Sequence, residues 1–97
     1  MDEEKIKAMG DIDRELTQLV NKEQTWGTLR RQADLLARLK TEYFKGRPEA
    51  LASHCQNVLG LKASYGEKVI SAIENEAQLK SKGITAKQAA TIIVALA

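Results

Sequence analysis

The chain has 97 residues, 43% of them hydrophobic and 29% charged, which is ordinary for one globular domain and argues against disorder. A formal net charge of +2 is too balanced to indicate a nucleic-acid partner by itself. One cysteine excludes an internal disulfide and suits a reducing compartment. The first residues have no apolar leader, and no apolar stretch approaches the roughly 20 residues needed to span a bilayer. We therefore expect one cytoplasmic domain over residues 1–97, without a membrane partner.

Hydrophobic spacing predicts an all-α fold of five helices, orthogonal or bundle-like, that begins with a helical hairpin. The first segment covers about residues 4–24, and Gly10 interrupts it at a cost of about 1 kcal/mol relative to Ala. Asp11 follows and can serve as an N-cap, so residues 1–10 are expected to fray and the stable helix to begin near Asp11. The apolar positions of this segment recur every three or four residues: Ile6, Met9, Ile12, Leu16, Leu19 and Val20.

The second and third segments are bounded by clear start and stop signals. Thr25 or Thr28 can cap the second, Gly46 ends it, and the short loop before it predicts an antiparallel hairpin with the first. The third covers residues 48–59, because Pro48 is tolerated in a first helical turn. Its inward positions are predicted to be Leu51, Cys55, Val58 and Leu59.

Two capping boxes predict where the fourth and fifth helices begin. Ser64 precedes Glu67 by three residues, and Thr85 precedes Gln88 in the same way, so each pair can satisfy two backbone donors. The fourth helix is expected to continue over residues 64–82 and to end at Gly83. The fifth is apolar nearly all round, so other helices or another chain must cover it.

His54 and Cys55 are the only histidine and the only cysteine, and they are adjacent. Neighbours on a helix point about 100° apart, so the two side chains diverge and a thiolate–imidazole pair is not expected. Zinc needs three or four such ligands. The sequence therefore predicts no catalytic residues, no metal site and no cofactor, with Cys55 as a buried part of the core.

One alternative is a DNA-binding unit resembling a helix-turn-helix over about residues 48–82. Leu59-Gly60-Leu61 suits its turn, whereas Gln56 and Gly66 stand where a small residue and a bulky apolar one are normal. The second helix would offer few contacts to DNA, namely Lys62, Tyr65 and Lys68.

The leading hypothesis is a non-enzymatic interaction module, that is, an adaptor, assembly factor or regulator. Apolar side chains at the hairpin corner and in the last helix are the candidate partner-binding residues. We expect the protein to associate with itself or another protein, a two-fold dimer being the first guess. The candidate residues are Trp26, Ile92, Ile93, Val94 and Leu96.

Overall fold

The computed structural model describes residues 2–97, of which 76% are helical and none lies in a strand. The predicted fold class is therefore confirmed. Six α-helices occur in this part of the chain, and a π-helical turn, Leu39–Tyr43, extends the second. The helices are α1 (Glu3–Val20), α2 (Trp26–Arg38), α3 (Pro48–Asn57), α4 (Tyr65–Glu74), α5 (Glu76–Ser81) and α6 (Ala86–Leu96).

Helix α1 is continuous through Gly10, so the start expected near Asp11 is wrong. The carboxylate of Asp2 accepts a hydrogen bond from the backbone N–H of Lys5 at 2.8 Å and caps the first turn. Asp11 lies inside the helix and pairs with Arg14 instead. Met1, the first residue of the segment expected to fray, lies outside the described residues.

Helices α1 and α2 form the predicted hairpin. Thr25 and Thr28 cap α2 together, because each hydroxyl accepts a hydrogen bond from the other residue's backbone N–H. Across the hairpin, the Arg31 guanidinium donates two hydrogen bonds to the Glu15 carboxylate, at 2.6 and 3.0 Å. This bidentate pair links α1 to α2 at the surface of the hairpin.

The fourth predicted helix is divided at Asn75, so the single helix expected over residues 64–82 is wrong. Asn75 has φ −107° and ψ 16°, and its backbone N–H reaches the carbonyls of the last turn of α4. Its side chain also donates to the carbonyl oxygen of Ser71 at 2.9 Å. An Asn that bonds to its local backbone competes with the helical ladder, and here it separates α4 from α5.

Of the two predicted capping boxes, only the one at Thr85 and Gln88 forms. Ser64 has ψ 4° rather than the extended backbone of an N-cap, and its hydroxyl donates to the carbonyl oxygen of Ala97. The Glu67 carboxylate contacts the Lys40 ammonium at 2.8 Å. Both side chains of the expected capping box therefore contact residues distant in the sequence instead of the backbone at the start of α4.

The core consists of two clusters of buried aliphatic side chains. The larger cluster contains side chains from the first four helices and the π-helical turn, and Ile93 of α6 packs into it. The smaller lies between α2 and α6, around Leu29, Ala86 and Ala89. Cys55 is fully buried in the larger cluster, as predicted, but Val58 is 59% exposed. The prediction for Val58 is wrong because α3 ends at Asn57, so the helical stripe of Leu51 and Cys55 does not continue to Val58.

Candidate interaction surface

Helix α6 has an apolar surface wider than the part that the core covers. Its buried centre is Ala89 and Ile93, while Ile92 is 48% exposed, Leu96 66% and Val94 51%. At about 100° per residue, Ile92 and Leu96 share one flank of the helix and Val94 lies on the opposite flank. The helix contacts α2 and α4 as expected, but of its large apolar side chains only Ile93 is buried there.

The flank with Ile92 and Leu96 forms one wall of an open groove between α4, α5 and α6. The groove has a volume of about 590 Å³, and polar side chains such as Ser71, Asn75 and Gln78 line it together with the apolar ones. Leu79 of α5 and Ile84 of the following loop contribute to its apolar part, as does Ala72 of α4. A groove lined by aliphatic side chains of three helices has the form that accepts the apolar face of another helix.

The rim of this groove is basic. Lys68 of α4 and Lys82, directly after α5, both line it, and neither takes part in an ion pair within residues 2–97. The acidic side chain at the rim, Glu67, is neutralised by Lys40. An occupant with apolar side chains and flanking carboxylates would therefore match both the wall and the rim.

The candidate partner-binding residues do not form one surface. Ile92 and Leu96 line the groove, Val94 faces the other side of α6, and Ile93 belongs to the core. Trp26 lies outside the groove, half-buried against the smaller cluster, with the Lys80 ammonium 5.6 Å from the centroid of its ring. The structure thus leaves Ile92 and Leu96 as the pair that a partner can reach together.

The candidate DNA-contact residues are occupied by intramolecular contacts, except for Lys68. Tyr65 is buried, and its hydroxyl donates a hydrogen bond to Oε1 of Gln32 at 2.7 Å. Burial raises the pKa of Tyr65 to about 12. The Lys62 ammonium donates to the carbonyl oxygen of Val94 at 3.0 Å and so ties the turn before α4 to α6.

A polar network around Gln32 was not predicted from the sequence. The Gln32 side chain is fully buried, and its amide donates to Oε1 of Gln24 at 2.8 Å. The amide of Gln24 in turn donates to the carbonyl oxygens of Leu19 and Lys22. Tyr65 completes this network, which connects the end of α1, the hairpin loop, α2 and α4. The sequence signal for this network is Gln32 itself, a polar residue on an otherwise apolar face of α2.

A second unpredicted contact joins α3 to α1. Nε2 of His54 lies 2.8 Å from Oδ1 of Asp13, with both side chains largely buried, and the ring of Phe44 packs against the imidazole. The Cys55 thiol contacts a different neighbour, since it lies against Gly66 of α4. Burial raises the pKa of this thiol. His54 and Cys55 therefore diverge, as the sequence predicted, but His54 has a carboxylate partner that the sequence did not reveal.

The contacts described above are the basis for a functional proposal, because similarity to known proteins supplies none. No family model, no curated protein and no solved structure shows significant similarity to this chain. Within residues 2–97, no three His, Cys, Asp or Glu side chains converge on a possible metal site. Over the same residues, no helix has the length and apolar character needed to cross a bilayer.

Proposed function

We propose that this protein is a non-enzymatic helical interaction module that self-associates through the groove between α4, α5 and α6. Such a module acts as an adaptor, an assembly factor or a regulator. The observation that carries the proposal is the exposed pair Ile92 and Leu96 on the apolar side of an open groove. A cytoplasmic location fits the single reduced thiol of the chain.

Burial of apolar side chains would contribute part of the free energy needed to occupy the groove. Burying an aliphatic side chain of this size contributes about 1.5–3 kcal/mol relative to leaving it exposed. Ile92 and Leu96 retain about half and two thirds of their exposure in the monomer, so much of that free energy is available to association. Contiguous apolar surface bounded by polar residues is typical of protein–protein contact sites.

The reactive side chains of the chain have structural partners, which supports a role without catalysis. His54 binds Asp13, Tyr65 binds Gln32, and the buried Cys55 thiol has a raised pKa. A catalytic cysteine would need an environment that lowers the pKa of its thiol, because its reactive form is the thiolate. These contacts join helices to one another, and they account for all three residues.

The oligomeric state tests the proposal, with two matched variants on opposite flanks of α6. We expect sedimentation equilibrium to show a dimer that dissociates on dilution. Leu96→Glu should raise the dissociation constant at least about tenfold, because it places a charge against the groove wall. Val94→Glu adds the same charge to a similarly exposed side chain on the far flank and should leave the dissociation constant unchanged.

Circular dichroism of both variants should show wild-type helicity, since both positions are exposed in the folded chain. A wild-type protein that is monomeric at every concentration would refute the proposed self-association. Equal weakening by Leu96→Glu and Val94→Glu would place the contact elsewhere than the groove.

A further inference from the structure

An excess of positive charge borders the groove between α4, α5 and α6. Lys68 and Lys82 stand at its rim, and Lys87 lies on the adjoining surface that shares Ile84 and Ile92 with the groove. None of these three lysines takes part in an ion pair within residues 2–97. Their summed charge exceeds the net charge of +2 of the whole chain, so the groove is more basic than the protein as a whole.

The carboxylate that lines the groove does not balance these lysines. It belongs to Glu67, which already contacts the Lys40 ammonium at 2.8 Å. Helix α6 begins between Lys82 and Lys87 and has no acidic residue in its first turn, so the positive end of its dipole adds to the charge there. A carboxylate supplied from outside the chain would therefore meet unpaired positive charge.

The shape of the groove indicates a helix as its occupant. Its apolar side chains come from three helices and the loop before α6, while Ser71, Asn75 and Gln78 supply polar groups from the α4–α5 side. A helix with an apolar stripe beside a polar face matches such a concave, two-sided surface. A lipid surface is flat on this scale and does not reach the walls of a groove.

A second copy of this chain matches only the apolar part of the groove. Where two copies meet groove to groove, the lysines of one face the lysines of the other, and like charges oppose the contact. A helix of another protein with Glu or Asp beside its apolar stripe would cover Ile92 and Leu96 and would also pair with the lysines. Such a helix should bind more tightly than the second copy and displace it.

We infer that the α4–α5–α6 groove is the docking site for an acidic amphipathic helix of a partner protein, which competes there with self-association. Apolar side chains of the partner helix cover Ile92 and Leu96, and its flanking carboxylates face Lys68, Lys82 and Lys87. Exposed ion pairs contribute little each, so the lysines select the partner while the apolar contacts supply most of the affinity. This inference rests on the proposed function, because it takes the same groove as the contact surface.

Two synthetic peptides of about 16 residues test the inference, since a helix of that length has about four turns. Both carry Leu at positions i, i+3, i+4 and i+7, flanked by Glu in one peptide and by Lys in the other, two residues of similar helix propensity. By fluorescence anisotropy at low salt, the Glu peptide should bind at least about tenfold more tightly than the Lys peptide. Equal affinities, or no binding of either peptide, would overturn the inference.

Charge reversal on the protein should reverse this preference. The double variant Lys82→Glu, Lys87→Glu should weaken binding of the Glu peptide about tenfold and strengthen binding of the Lys peptide. The control is the double variant Lys5→Glu, Lys7→Glu, which makes the same change in net charge at exposed positions of α1, outside the groove. Leu96→Glu should weaken binding of the Glu peptide as well, because Leu96 forms part of the apolar wall. If the reversal at Lys82 and Lys87 has no more effect than the control, the lysines do not select the occupant and the inference is wrong.

Vesicles of phosphatidylcholine and phosphatidylserine distinguish a partner helix from a lipid surface. We expect the protein to remain in the supernatant when such vesicles are sedimented. Sedimentation with the vesicles that the Glu peptide prevents would overturn the inference, because the groove would then serve an anionic lipid surface.

Failure of this inference is distinguishable from failure of the proposed self-association. The Glu peptide should dissociate the dimer in sedimentation equilibrium, since both occupants need Ile92 and Leu96. A dimer that Leu96→Glu dissociates but the Glu peptide does not would leave the proposed function standing and refute the inference. A protein that is monomeric at every concentration but binds the Glu peptide selectively would refute self-association and support the partner helix.

Discussion

At the scale of single residues, Gly66 shows how closely α4 approaches α3. A Cβ atom built there would lie 3.1 Å from Cδ2 of Leu51 and 3.3 Å from Sγ of Cys55. The sequence pattern of a helix-turn-helix would place a bulky apolar residue at this position. The structure has no space for one, because Leu51 and Cys55 already fill it.

Gly66→Ala should therefore destabilise the protein although Ala is the better helix former. The gain in helix propensity is about 1 kcal/mol, and overpacking a core costs about 1–3 kcal/mol. We expect a net loss of about 1 kcal/mol in urea unfolding. The control is Gly10→Ala, which meets no atom within 4 Å and should stabilise the protein by about 0.5–1 kcal/mol. Equal stabilisation by both would mean that α3 and α4 are further apart than described.

The buried Tyr65 makes the fold lose stability as the pH becomes alkaline. Its folded pKa is raised to about 12 by burial, above its ordinary value of 10.0. The unfolded chain therefore loses the phenolic proton first, so the stabilisation is complete below pH 10 and is lost as the pH rises toward 12. The slope from this group is at most about 1.4 kcal/mol per pH unit.

The comparison of Tyr65→Phe with Tyr43→Phe isolates this effect. Tyr65→Phe should cost about 1–3 kcal/mol near pH 8, because it leaves Oε1 of the buried Gln32 without its donor. Its urea midpoint should also fall less steeply than the wild-type midpoint between pH 10 and pH 11.5. Tyr43→Phe, in the π-helical turn, should follow the wild type. Identical slopes for all three proteins would contradict the burial of the Tyr65 hydroxyl.

At the scale of helices, the two predicted N-cap residues, Ser64 and Thr85, differ in how much they contribute to the free energy of unfolding. Thr85→Ala should cost about 1 kcal/mol, because Thr85 accepts from the Gln88 N–H in a complete capping box. Ser64→Ala should cost less, since its hydroxyl donates to Ala97 and caps nothing. Urea unfolding of the two variants measures the difference directly. A larger loss for Ser64→Ala than for Thr85→Ala would reverse the assignment of the caps.

At the scale of the whole molecule, two ion pairs connect helices and give the fold a response to acid. The hydrogen bond from Arg31 lowers the pKa of Glu15, and the hydrogen bond from Lys80 lowers the pKa of Glu76. Glu15 connects α1 to α2, and Glu76 connects α5 to Arg30 of α2. A lowered folded pKa stabilises the protein above the ordinary value of 4.5, and the stabilisation is lost as the pH falls below it.

Glu15→Gln and Glu76→Gln should each lower the urea midpoint at pH 7, and the difference from wild type should disappear as the solution becomes acidic. The reason is that the wild-type carboxylates are then protonated and no longer pair with their basic partners. Glu49→Gln is the control, because Glu49 is exposed and has no ion pair within residues 2–97. A difference that persists unchanged at pH 3 would show that the effect is not electrostatic.

Much of the architecture could be predicted from the sequence because helix signals are local. Apolar residues three and four apart, caps such as Thr85, and breakers such as Gly46 and Pro48 act within about one turn. They predicted the all-α class and most helix boundaries. The cap on Asp2 and the break at Asn75 were missed although they are also local. Many Asp and Asn residues could make such bonds, and the sequence does not show which of them do so.

The candidate interaction surface could be predicted only in part. An apolar last helix was evident from its composition, but which of its flanks is free depends on how α6 lies against α2 and α4. Ile93 and Leu96 are equally apolar in the sequence, and tertiary packing buries one and exposes the other. The same limit applies to Ser64, whose expected cap was displaced by a contact with Ala97, 33 residues away.

The sequence by itself determined that this protein is a helical domain with an aliphatic core and a strongly apolar last helix. Only the tertiary structure decided which polar groups meet, because contacts such as Asp13 with His54 and Gln32 with Tyr65 join residues 41 and 33 positions apart. It also decided that the wall with Ile92 and Leu96 faces a basic rim. The physical reason is that helix formation depends on neighbours along the chain, whereas a surface is composed of residues that only packing brings together.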